Sequence, residues 1–293
     1  MNPLPPTNVP ELNAVLEDLS RQWQELLGEN LIGAYLLGSF AVGDPTERSD
    51  VDFLVVTRTD IPPEALNALQ RLHAEFHRRP SYWAQHLEGS YAPAAVIRRL
   101  SDDPRDPPGE PVRLASSRDP ETGLPPRRYP FLFLGNGSDT LVRSEHDNTL
   151  VVRWVMRERG VVLHGPPPAT LIDSITGEEI RHDARVTLPR YCAPYLSGDM
   201  KIDAVWLQAF FVTLICRMLH TIEVGEIHSK KAATAWALGA LPREWHGLIT
   251  RAAATWAGSQ EFWHLQPRPQ EVAQTLEFMR YASPSRDLDV SQG

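Results

Sequence analysis

Two short clusters near the start of the chain combine residue types and spacing suited to chemistry at phosphorus. Gly38-Ser39 closes an apolar run, Leu31-Ile32-Gly33-Ala34-Tyr35-Leu36-Leu37, and Asp50 and Asp52 open a second, Val51-Asp52-Phe53-Leu54-Val55-Val56. A glycine at a strand end lets a phosphate approach the backbone, and a serine hydroxyl beside it can donate to an oxygen. Side chains two apart on a strand point the same way, so the two carboxylates converge. Paired oxygen ligands suit Mg²⁺, which binds one or two protein carboxylates together with substrate phosphates. Two such ions can clamp the attacking and leaving oxygens of an in-line displacement. Asp-x-Asp alone fits a solvated strand edge as well, and Gly-Ser alone says as little. The specific feature is the combination, with ten residues between Ser39 and Asp50.

These clusters need strands and helices to hold them. Leu12, Val15, Leu16, Leu19, Trp23, Leu26 and Leu27 recur at helical spacing over 11–28, stopping at Gly28. Strands are expected at 31–37 and 51–56, and a helix from about Pro63 to Arg78 with Leu66, Leu69, Leu72 and Phe76 on one side. An extended segment is expected near Trp83 to Tyr91. Residues 101–130 hold eight prolines and many charges without period, which predicts a long irregular insertion. Phe131 to Leu134 reads as apolar and extended, followed by a helix around 144–159, Val161-Val162-Leu163, and a stop at His164-Gly165-Pro166-Pro167-Pro168. Alternating strands and helices predict an α/β unit. Beyond about residue 195 the pattern is helical: an apolar helix over Ile202–Val224, one capped by Ser229 and ending at Pro242, one over Glu244–Ala257, and a last one opened by Pro269 with Val272, Leu276 and Met279 inward. Two domains sharing a ligand cleft are expected, 1–168 and 169–293.

Composition narrows the function. With 293 residues, 42% hydrophobic and 23% charged, the chain has globular averages and room for two domains. A net charge of −8 gives no overall attraction to nucleic acid or an anionic membrane, and suits a cationic partner. Cys192 and Cys216 lack metal-site spacing and read as buried reduced thiols. The first residues carry Glu11, Glu17 and Asp18 without a basic stretch, and Ala204–Leu219 is interrupted by Gln208 and Arg217, so neither a secretory leader nor a membrane span is expected. A soluble cytoplasmic protein is expected.

The Gly-Ser and Asp-x-Asp pair resembles the signature of the DNA polymerase β-like nucleotidyltransferase superfamily. Gly225-Glu226-Ile227, Lys230, Ala232 to Leu238 and Leu241-Pro242 resemble the C-terminal helical domain of the streptomycin/spectinomycin adenylyltransferases. His146-Asp147 and Leu163-His164-Gly165-Pro166 are similar to that family's link between helix, short strand and hinge. The resemblance implies an α/β (α+β) nucleotidyltransferase domain with a small mixed sheet, followed by an all-α helical bundle domain.

It also implies a Mg²⁺-dependent enzyme that transfers AMP from ATP to a hydroxyl of a small molecule and releases pyrophosphate. An aminoglycoside-type antibiotic is the expected acceptor. Asp50 and Asp52 would hold metal, with Glu88 as the third carboxylate and the base. Glu64 and Glu75 are weaker candidates because they fit an exposed helix face. Gly38, Ser39 and Ser49 would contact the nucleotide, Lys230 the triphosphate, with Lys231 ranked behind it. Asp147 and His146 would help build the nucleotide pocket, or cap the following helix, and Arg48 is a further phosphate candidate. Trp206, Trp236 and Trp256 fit helix packing. Where the family presents acidic residues ahead of the long C-terminal helix, this chain has Trp206 and apolar neighbours, with Asp199 and Asp203 displaced toward the N-terminus. The same motifs fit a nucleotidyltransferase acting on a protein or RNA acceptor, and a nucleotide-binding regulatory module without turnover.

Overall fold

The apolar side of the first helix, α1 (Pro10–Leu27), buries Leu12, Leu16, Leu19 and Trp23 against a sheet. Pro10 opens this helix and Gly28 ends it, as the residue types require. In this computed structural model the described residues are 5–47, 49–100, 129–258, 261 and 263–283. Arg48 and the proline-rich insertion, apart from its last two residues, lie outside them.

Chain order continues through β1 (Leu31–Leu36), the single turn α2 (Gly38–Ala41), β2 (Val51–Thr57) and α3 (Pro63–His77). Next come the turn α4 (Tyr82–Gln85), β3 (Leu87–Pro93) and the turn α5 (Ala94–Ile97). After the insertion, β4 (Phe131–Leu134), β5 (Leu141–Ser144), α6 (Leu150–Arg159) and β6 (Val161–His164) complete the first part. Trp83 therefore sits in a helical turn, not in the extended segment expected there. The helix expected from about 144 begins at Leu150. Residues 141–144 pair with β4, and Thr149 Oγ1 accepts from the Val152 N–H at 3.1 Å as the actual N-cap.

The six strands run in the order β5-β4-β3-β2-β1-β6. Only β2 and β3 pair in parallel, so the sheet is mixed. A parallel pair needs a crossover, and α3 with α4 supplies it. Trp23, Phe53, His73 and Tyr91 form the fully buried centre beneath. The Trp23 Nε1–H donates to the Tyr91 hydroxyl at 2.7 Å, and that hydroxyl is hydrogen-bonded to His73 Nε2 at 2.6 Å. The His73 ring stacks on Phe53, and burial lowers its pKa to about 3, so it is neutral.

The chain divides into two units, Met1–Ser174 and Ile175–Gly293. The second is helical: α7 (Gly177–Ser197), α8 (Val205–Val224), α9 (Lys230–Ala240), α10 (His246–Ala257) and α11 (Pro269–Ala282). A capping box between Thr176 and Glu179 starts α7, which contains Pro189 and Pro194 in its interior. Helix α8 is the centre, packed by α7, α9, α10 and α11. By length and composition it is apolar enough to cross a membrane, a stronger signal than Gln208 and Arg217 suggested; more than half of it is buried in this unit. Cys216 lies fully buried on it, and burial pushes its thiol up to about 12. The Ser229 hydroxyl accepts from the Ala232 N–H at 3.1 Å, capping α9 as expected. Trp206, Trp236 and Trp256 are only partly buried; among the described tryptophans Trp23 is the fully buried one.

Candidate active site

Parallel pairing sets Asp52 opposite Glu88 across β2 and β3, and Asp50 precedes β2 by one residue. Strand alternation directs Asp50 and Asp52 the same way. One ligand oxygen from each of Asp50, Asp52 and Glu88 lies within 4.8 Å of the others, with all three residues partly buried. Among the described residues this is the group that could hold a metal ion. Three carboxylates at this spacing repel one another, and a hard divalent cation relieves the repulsion while using oxygen donors. The residue types and their convergence therefore fit a hard divalent cation. Glu64 and Glu75 lie on the exposed face of α3, and Glu75 is engaged by Arg79 at 3.0 Å.

The turn after β1 is built around this cluster. The Leu37 N–H donates to the Asp52 carbonyl at 2.8 Å, joining the ends of β1 and β2. Gly38 follows with φ +55°, a left-handed conformation that favours glycine. A Cβ placed there would lie 1.6 Å from Asp52 Oδ2. Beside it, Ser39 Oγ is buried and has no hydrogen-bond partner among the described residues. A buried hydroxyl without a partner is costly, and a phosphate oxygen would satisfy it. Ser49 is engaged in its own turn: its Oγ accepts from the Thr46 N–H at 2.9 Å and its N–H donates to the Thr46 carbonyl at 3.2 Å.

His146 and Asp147 follow β5 and attach to β3. His146 Nε2 lies 3.6 Å from Glu88 Oε1, and its ring stacks on Phe133 with centroids 4.7 Å apart. The buried Ser90 hydroxyl donates to Asp147 Oδ2 at 2.7 Å. Glu88 and Ser90 are two residues apart on one strand, so a single turn engages both. Sequence reasoning paired His146 and Asp147 with the nucleotide or with a helix cap and missed these links to β3. The i, i+2 spacing of Glu88 and Ser90 was the available signal. In the helical unit, Lys230 Nζ sits 3.4 Å from the Trp256 ring centroid, a contact that no sequence pattern indicated. Lys231 is exposed.

Comparison with known proteins places both halves. Residues 12–80 match the nucleotidyltransferase domain family, and residues 197–282 match the C-terminal domain of aminoglycoside adenylyltransferases. Together these matches support an aminoglycoside adenylyltransferase-like nucleotidyltransferase. A spectinomycin 9-adenylyltransferase of Staphylococcus aureus is 24% identical over 243 residues, covering 80% of this chain and 81% of the relative. One from Campylobacter jejuni is 20% identical over 263 residues, covering 88% and 90%. The fold is shared with the spectinomycin adenyltransferase of Enterococcus faecialis, solved with ATP and spectinomycin, at a TM-score of 0.62 and 15% identity over 92% of this chain and 98% of that one. In this nucleotidyltransferase the first family match spans Gly38, Ser39, Asp50 and Asp52, and the second spans Lys230 and Trp256.

Proposed function

We propose that this enzyme transfers AMP from ATP to a hydroxyl of an aminoglycoside-type small molecule and releases pyrophosphate. The convergence of Asp50, Asp52 and Glu88 beside the Gly38-Ser39 turn carries the reading. The names of the relatives, spectinomycin 9-adenylyltransferases, support the acceptor class. Asp50, Asp52 and Glu88 would hold Mg²⁺, which when bound neutralises phosphate charge and orients the triphosphate.

The chain's own residues have separate tasks. Gly38 leaves room for a phosphate at the backbone, and Ser39 Oγ donates to one of its oxygens. Ser49 and Asp147 shape the nucleotide pocket, and the Lys230 ammonium binds the triphosphate. Glu88 accepts the proton of the acceptor hydroxyl as that oxygen forms its bond to the α-phosphorus. The bond from the α-phosphorus to the bridging oxygen breaks, and pyrophosphate leaves with the electron pair. In this reading residues 1–168 form the nucleotidyltransferase domain and 169–293 the domain that helps bind nucleotide and acceptor.

The test is incubation with Mg²⁺ and α-labelled ATP against a panel of small molecules, spectinomycin and streptomycin first. Label is expected on a small molecule with stoichiometric pyrophosphate. Label on the protein or on added RNA, with none on any aminoglycoside, would overturn the acceptor assignment.

A further inference from the structure

Lys230 is the first residue of α9, directly after its Ser229 cap. Its ammonium lies 3.4 Å from the Trp256 ring centroid and 5.1 Å from that of Phe210. Trp256 comes from α10 and Phe210 from α8, so three helices meet at this one charge. The indole is itself held. Trp256 stacks on Trp263 at 5.5 Å and 25°, and packs tilted against Phe210 at 6.0 Å. Trp263 is pinned in turn, because its carbonyl accepts from the Trp206 N–H at 3.1 Å at the start of α8.

A lysine ammonium ends a flexible four-carbon stem, and ordering that stem costs entropy at the moment of binding. An indole face attracts a cation through its negative quadrupole, without the directional demand of a carboxylate. A ring face holds the charge in a narrow volume and yields to an anionic oxygen.

We infer that Trp256 is a positioning residue for Lys230: its braced indole keeps the ammonium placed for the β- and γ-phosphates of ATP. This rests on the reading of Lys230 as a triphosphate ligand.

The test measures binding of Mg²⁺–ATP and of AMP to the full chain by isothermal titration, so that no acceptor is needed. Wild type, Lys230→Met, Trp256→Leu, Trp256→Phe and the Lys230→Met/Trp256→Leu pair are compared. Trp256→Leu is expected to weaken ATP about five- to tenfold, the equivalent of one such contact, and leave AMP unchanged. Trp256→Phe, which keeps a ring face, should recover most of the loss. In the Lys230→Met background, Trp256→Leu should add nothing. Losses that multiply in the double variant, or an equal loss for AMP, would overturn the inference, the latter pointing to contact with the nucleoside. If Lys230→Met weakens ATP and Trp256→Leu does not, the positioning role fails and the lysine assignment stands. If Lys230→Met changes nothing, the lysine assignment fails as well. Circular dichroism checks folding, and Trp256→Met replaces Trp256→Leu if the latter unfolds.

Discussion

Gly38 and Asp52 are packed so closely that a β-carbon on residue 38 would lie 1.6 Å from Asp52 Oδ2. The strand-end glycine and the acidic motif are therefore two halves of one construction. Any side chain at 38 must move the Asp52 carboxylate or the turn that holds Ser39. Gly38→Ala is expected to lower activity by about 100-fold or more, the scale at which small misplacements of reacting groups act. The positive φ adds strain of about 1–2 kcal/mol. Turnover rates and a thermal melt check the two effects separately.

The acidic cluster should trade stability for metal binding. Asp52→Asn removes one of three converging charges, so without divalent ions its melting temperature should equal or exceed that of wild type. With Mg²⁺, wild type should gain stability as the ion is titrated in, following mass action, and the variant should gain less. Turnover should be lost in the variant, and in wild type treated with EDTA. Scanning fluorimetry with and without EDTA, alongside pyrophosphate release, checks this. A variant with wild-type turnover contradicts the metal assignment.

His73 gives the fold an acid-sensitive point. Burial lowers its pKa from 6.5 to about 3, so between these values the unfolded chain binds a proton that the folded chain does not. Stability from this residue is present above pH 6.5 and falls as pH drops toward about 3. Urea midpoints taken from pH 7.5 down to pH 4 should decline, and His73→Gln, which does not titrate, should flatten that slope.

The Tyr91 hydroxyl links two buried groups that are far apart in the chain, Trp23 and His73. Tyr91→Phe keeps the ring and leaves both partners unsatisfied in the core. Each unsatisfied buried group costs about 1–3 kcal/mol, so urea denaturation should show a loss in that range or somewhat above it. Turnover by the folded fraction should change little, because none of these groups belongs to the candidate site.

Much of this architecture was readable from local pattern. Helical spacing placed α1 and α3, and Ser229 and Pro269 marked where α9 and α11 begin. Elsewhere packing prevailed over local signals. Pro189 and Pro194 would ordinarily interrupt a helix, yet both lie inside α7, whose Leu188 and Cys192 are buried in the helical core. The strand Leu141–Ser144 is too short to show a period, and its pairing with β4 displaced the start of α6 to Leu150.

The sequence by itself determined that Asp50 and Asp52 face the same way, because a strand alternates with period two whatever surrounds it. It also determined which glycine and serine stand at the strand end beside them. Only the tertiary structure decided that Glu88 lies in register with Asp52, that His146 reaches Glu88, and that the Lys230 ammonium rests on Trp256. Those relationships join residues far apart in the chain. They depend on how strands and helices pack, and no local spacing encodes that register.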